Sequence, residues 1–272
     1  MIRISMGDAS LTNVLARQGA ALRGQVQQAS NEVATGQKAD LAQSMRGDVS
    51  PLLAIDATLA RLGAYSSTTS DAAFQTAAQQ SAIAGLSSLA AGITTVLLGA
   101  EDFPTPVQVS AVAADARGRL QSAVGLLNST AAGRAVFSGM ATDLVPLGDA
   151  ESMLDALETA SAGATTAGQV AAAVTNWFAS PAGYAAFYQG GPPLAPVPIA
   201  AGEDVELSTT AQDTALRDTL AGFAMAALLD RGVLDGQPQE RAQLAQTAGQ
   251  ALLTSEDSRI ILAARIGSIE AR

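Results

Sequence analysis

The stretch TPVQVSAVAADARGRLQSAVGLLNSTAAGRAVFSG, Thr105 to Gly139, decides the fold. Val109, Ala113, Ala116, Leu120, Val124 and Leu127 recur at steps of three and four, which draws a narrow apolar stripe along one side of a helix. Such a stripe needs a partner helix. Pro104 and Pro106 exclude helix before it and fit a first turn, Thr105 is placed as N-cap, and Asn128-Ser129-Thr130 weakens the far end ahead of Gly133. Beyond it, Ala135-Val136-Phe137 is a short apolar run bounded by Gly133 and Gly139, a pattern of strand or turn rather than continued helix.

Upstream, Ser5 to Gln37 is helical in pattern. Leu15, Gly19, Leu22, Val26, Ala29 and Val33 alternate steps of four and three, a heptad seam sustained for little more than two heptads, so a coiled-coil strand and an ordinary amphipathic helix both fit. Gly36 suits the helix C-terminus and Lys38 the negative end of its dipole. A polar connection from Asp40 leads to Ser50 as cap and Pro51 as first residue of the next helix, whose apolar face is Leu52, Ile55, Leu59 and Leu62. Gly63 and Ser66-Ser67-Thr68-Thr69-Ser70 lower helix propensity and allow a kink or joint. Ile83, Leu86, Ala90, Ile93 and Leu97 then restore the stripe, and the pattern predicts a long antiparallel hairpin of helices from Asp71 to Asn128.

Downstream, Pro146, Pro181, Pro192, Pro193, Pro196 and Pro198 preclude long helices between residues 142 and 208. Short helices fit Ala150 to Ala160 and Ala167 to Ala179, and Leu194 to Leu207 alternates as extended chain does. Trp177, Phe178, Tyr184, Phe187 and Tyr188, half of the chain's aromatics, read as a small local core ahead of a ligand-stacking surface. Leu216, Leu220, Phe223 and Ala227 mark a further helix closing at Gly232, and a last helix runs from Pro238 with Leu244, Leu252, Leu262, Ile266 and Ile269 near one face. The fold class expected is mainly α: an elongated antiparallel helical bundle of long N- and C-terminal helices with a small mixed α/β insert. Its parts are residues 1–141 and 208–272 for the bundle and 142–207 for the insert.

Composition narrows function. The 272 residues hold no Cys and no His, which removes thiol nucleophiles, thiolate or imidazole metal ligands and a Ser-His-Asp triad. No phosphate-binding glycine loop, metal motif or catalytic carboxylate pair stands out, so the expectation is no enzyme, no cofactor and no metal site. Eleven acidic residues against Arg217 alone fall between Asp143 and Asp230, which accounts for the whole net charge of -10 and disfavours nucleic acid as a partner. The opening residues lack the pattern of a cleaved signal peptide, and Leu89 to Ala100 is too short and broken to span a bilayer, so no membrane partner is expected.

Four pieces carry a resemblance: Ile2-Arg3-Ile4-Ser5, Glu32-Val33-Ala34-Thr35-Gly36-Gln37-Lys38, Gly133 to Gly139, and Ala264-Arg265-Ile266-Gly267-Ser268. In their order and spacing the chain resembles the flagellin superfamily, and within it the flagellar hook-filament junction proteins, or hook-associated proteins of type three. Gly133-Arg134-Ala135-Val136-Phe137-Ser138-Gly139 is similar to the junction proteins' motif at the end of the second long N-terminal helix, where filament flagellins carry an Asn-Gly turn.

The resemblance implies a structural subunit of the bacterial flagellum, an extracellular adaptor exported by the flagellar type III pathway without signal cleavage. Its partners would be other axial subunits (hook-associated proteins and flagellin) and an export chaperone. A filament flagellin and a soluble helical export chaperone are the alternatives. The family continues beyond the Arg-Ile-Gly motif with a helix that pairs with the extreme N-terminus, whereas this sequence stops at Arg272; either it is a shortened form or the terminal pairing differs. The expected assembly positions are Leu15, Leu22, Val26, Val33, Leu120, Val124, Leu262, Ile266 and Ile269, with the first four burying against the last three. On that basis Leu22→Asp would loosen the bundle, and the isolated chain would be a monomer.

Overall fold

The computed structural model describes residues 6–39, 49–100 and 106–271. Among these are eight helices and two short antiparallel hairpins, a mainly α fold. The segment 2–5, the connection over residues 40–48 and the caps at 104 and 105 lie outside the described residues. The chain divides into two units, Met1–Gly63 and Ala64–Arg272.

The first unit holds α1 (Met6–Thr35) and the beginning of α2 (Ser50–Leu98). Gly36 ends α1 in the left-handed region at φ +67°, with its N–H donating to the Glu32 carbonyl at 2.8 Å. The Glu32 carboxylate accepts from Lys38 Nζ at 3.0 Å, Ala39 N at 3.1 Å and Gln28 Nε2 at 3.3 Å. The Lys38 bond first, then that from Ala39, holds this carboxyl below its ordinary value. The division between units falls inside α2 just after Gly63, where the sequence lowers helix propensity, yet the helix continues through it.

The second unit holds the rest of α2, then α3 (Pro106–Leu127), β1 (Thr130–Ala131), β2 (Arg134–Ala135), α4 (Ala150–Ala160), α5 (Ala167–Ala179), α6 (Tyr184–Phe187), β3 (Val197–Ala200), β4 (Glu203–Val205), α7 (Thr214–Leu228) and α8 (Pro238–Glu270). Local chemistry sets the helix starts. Asp149 accepts from Ser152 N at 2.8 Å, and Thr166 accepts from Gln169 N at 3.3 Å. Pro238 opens α8.

One core runs through this unit. The stripe Val109 to Leu127 of α3 meets Ile83, Leu86, Ile93 and Leu97 of α2 there, and α8 adds Leu244, Leu252, Leu262 and Ile266. The short helices put Met153, Leu154, Val170, Val174 and Tyr184 into the same core, so the proline-rich middle is packed with the long helices rather than apart from them. Helix α7 is buried on nearly every side, and its Ala221, Gly222, Ala224, Ala226 and Ala227 let neighbours come close. A second, smaller cluster joins Ala72 of α2 to Val205 and Leu207, with Ile269 packed against it. By length and composition α2 could cross a bilayer, but its buried residues, Ala72 to Leu97, face the protein's own core.

Gly249 marks a close helix approach. A Cβ there would lie 2.9 Å from both Leu97 Cβ and Leu98 N, so α8 touches the α2 backbone. Gly249→Ala is expected to destabilise by about 1–3 kcal/mol. Gly125→Ala on α3, where a Cβ meets nothing within 4 Å, is expected to stabilise by about 0.5–1 kcal/mol. Urea unfolding midpoints of the two variants check both signs.

Candidate assembly surfaces

The run after α3 folds as its glycines require. Ala132 at φ +50° and Gly133 at φ +76° form the two-residue turn between β1 and β2, as a primed hairpin turn needs. Ala135, Val136, Phe137 and Ser138 are then buried, and their carbonyls must find donors away from any helix. Val136 O accepts from Gln79 Nε2 at 3.3 Å, Phe137 O from Ala211 N at 2.9 Å, and Ser138 O from Gly191 N at 2.8 Å. Gln79, itself buried, also donates to Thr209 O at 3.4 Å. Gly139 sits at φ +60°, where any Cβ would collide with the Pro192 and Gly191 carbonyls.

Electrostatics fix a second junction. Arg117 of α3 forks onto Glu151 of α4, Nε to Oε1 at 2.9 Å and Nη2 to Oε2 at 2.7 Å, and its Nη1 reaches Asp230 at 3.0 Å. Arg231 reaches the same Glu151 oxygen at 2.7 Å and Asp155 at 2.9 Å, and Gln121 donates to Oε1 at 2.8 Å. The Arg117 fork, together with Gln121 and the charge of Arg231, holds the Glu151 carboxyl at about 2 against an ordinary 4.5. None of these partners was legible from the sequence, because they lie 34, 80 and 113 residues apart.

The aromatic residues gather within the unit's main core and not in a small separate one. Trp177 meets Phe178 edge-on at 5.1 Å, Phe178 stacks on Tyr184 at 5.2 Å, and the Tyr184 hydroxyl donates to Ala211 O at 2.7 Å. Burial pushes the Tyr184 hydroxyl pKa well up, so it stays a donor. In the Arg-Ile-Gly motif, Arg265 pairs with Asp213, the α7 N-cap, at 2.7 Å. Ile266 is fully buried, and Gly267 leaves room for Gln80.

The expected assembly positions fall into two groups. Leu120, Val124, Leu262 and Ile266 are buried in the second unit's own core, and Ile269 packs on its smaller cluster. Leu15, Leu22, Val26 and Val33 are between 59% and 85% exposed in the single chain. Ile55, Leu59 and Leu62 of α2 are exposed as well.

No protein-family model and no curated protein matches the sequence. Among solved structures, the crystal structure of FlgL from Bacillus cereus aligns with 82% of this chain and 91% of its own at a TM-score of 0.54 and 15% identity. A proposed flagellar hook-associated protein from Vibrio parahaemolyticus aligns with 86% of this chain and 93% of its own at a TM-score of 0.44 and 14% identity. At such identities the likeness to FlgL is one of fold.

Two outcomes test these junctions. Because the Glu151 carboxyl is depressed on folding, its contribution is whole above about pH 4.5 and drains away as pH falls toward 2. Wild type should lose melting temperature across that window more steeply than Glu151→Gln, which should be the less stable of the two at pH 7. Gln79→Leu strands the Val136 and Thr209 carbonyls and should cost about 1–3 kcal/mol in chemical denaturation.

Proposed function

We propose that the chain is a non-enzymatic structural subunit of the bacterial flagellum, an adaptor at the hook-filament junction that assembles through helix-helix interfaces. The observation that carries this reading is the fold shared with FlgL over most of both chains. The exposed seams of the first unit support it. Leu15, Leu22, Val26 and Val33 would be covered by helices of neighbouring axial subunits, each fully buried aliphatic side chain contributing about 1.5–3 kcal/mol. Before assembly the chain is a monomer, held so by the cost of ordering a long seam and by the repulsion of its acidic charge. Export through the flagellar type III channel and an escort that covers the seam beforehand belong to the same reading.

Immunoblots of sheared flagella against cytosol test it. The chain should be enriched in the sheared fraction, near the hook end by immunogold labelling. A chain confined to cytosol and bound to flagellin would replace this reading with that of a chaperone. Because Leu22 is solvent-exposed in the single chain, Leu22→Asp should shift the stability of the isolated protein by no more than about 0.5 kcal/mol. It should nevertheless abolish incorporation into flagella.

A further inference from the structure

Between α5, α7 and α8 the second unit holds a cavity of about 420 Å³ with Phe178, Ala221, Met225 and Ala251 in its walls. Two guanidinium groups stand in and behind its wall. Arg217 lines it, forms no ion pair among the described residues, and reaches only the Phe178 carbonyl and the Thr214 hydroxyl, both at 3.4 Å; its Nε is buried without a partner. Arg259, 3% exposed, stands behind the wall residue Ser255 and donates to its hydroxyl at 2.5 Å and to that of Thr219 at 2.9 Å. It too forms no ion pair among the described residues; burial lowers its pKa, and the charge of Glu256 opposes that shift. The wall also holds Asp218, whose pKa burial raises while the charge of Arg217 opposes the rise, and no ion pair joins the two side chains. Arg217 is thus open to a carboxylate from outside, in a chain whose net charge is -10.

The loop after Gly139 has the opposite character. Met140, Leu144 and Val145 are exposed, and Asp143 stands among them without a partner among the described residues. The loop backbone is nevertheless fixed. Met140 N donates to Pro192 O at 2.9 Å, Ala135 N to Thr142 O at 2.7 Å, Leu144 N to Ala141 O at 3.0 Å and Gln189 N to Pro146 O at 2.8 Å. An apolar knob held this way has already met the entropy of ordering, which favours docking.

We infer that the cavity between α5, α7 and α8 receives the loop at residues 140–145 of a second copy of this chain, with Asp143 set against Arg217. The inference rests on the reading of the chain as an assembling subunit and names a contact for it. Knob and cavity are different surfaces, so the contact is heterologous and propagates from copy to copy instead of closing a two-fold dimer. One loop in one cavity is far smaller than a standard interface of about 1,200–2,000 Å². It is weak alone and gains strength only where several contacts act together.

The absence of cysteine makes thiol trapping clean. Protein carrying Leu144→Cys is mixed with protein carrying Ala251→Cys and a short bis-maleimide linker, and Val107→Cys, at another exposed position, replaces Leu144→Cys as control. The mixed 144–251 dimer should form roughly tenfold faster than the 107–251 dimer. Asp143→Arg on the first partner, or Arg217→Glu on the second, should remove that preference, and the two together should restore it. Arg217→Gln stands in if Arg217→Glu lowers the melting temperature. Equal rates for test and control, or a preference indifferent to both charge reversals, overturns the inference. The isolated chain is used throughout, so this result and the localisation in sheared flagella fail independently.

Discussion

Four buried residues outside any helix, Ala135 to Ser138, impose the constraint on which the second unit depends. A helix satisfies its own carbonyls; a two-residue hairpin strand that dives into a core cannot, and each unpaired group there would cost as much as a lost hydrogen bond. The donors come from far along the chain: Gln79 on α2, the backbone at Gly191 beyond the aromatic core, and the backbone at Ala211 just before α7. Satisfying one short segment thus joins the early helices, the proline-rich middle and the late helices. Gly139 completes the junction, because only a residue without Cβ passes between the carbonyls of Pro192 and Gly191.

Around that junction the packing works with small side chains. With few aromatics, close contact must come from helices that approach backbone to side chain, as Gly222 does with Leu252 and Gly249 with Leu97. Charged groups then hold the ends. Arg241, buried on α8, donates to Val233 O at 3.0 Å and Leu229 O at 2.9 Å in the turns that follow α7, and pairs with Asp235 at 2.9 Å. Arg117 and Arg231 converge on Glu151 from two other elements. The acidic stretch between Asp143 and Asp230 therefore contains carboxylates engaged in holding helices together.

What could be read from the chain was whatever is encoded locally. Ala150–Ala160 and Ala167–Ala179 have the bounds that their sequence pattern fits, and in the structure Asp149 and Thr166 cap them through partners three residues on. The stripe of α3 was legible because its period is 3.6 and its residues are buried along their whole length. Partners were not legible. Gln79 belongs to a polar pair, Gln79-Gln80, that gives no sign of one amide buried under two distant carbonyls. The seam of Leu15, Leu22, Val26 and Val33 shows the same heptad whether covered or bare, since periodicity marks an apolar side and not its occupant. Arg217 and Asp143, read from the sequence only as contributions to net charge, draw notice only once their surroundings are known.

The end of α1 shows what a locally written stop can do. Glu32 gathers Lys38, Ala39 and Gln28 upon one carboxylate while Gly36 turns the backbone, all within a dozen residues. No other part of the chain is needed to decide where this helix halts. A bare apolar helix can otherwise slide by a turn against whatever it meets, since successive heptads offer nearly equivalent grips. With its terminus pinned by its own side chains, the row from Leu15 to Val33 is presented at a set distance from Gly36, like a ruler with its zero already marked. Any helix laid against that row would meet one alignment in which all the rungs coincide, because the end of the row is fixed.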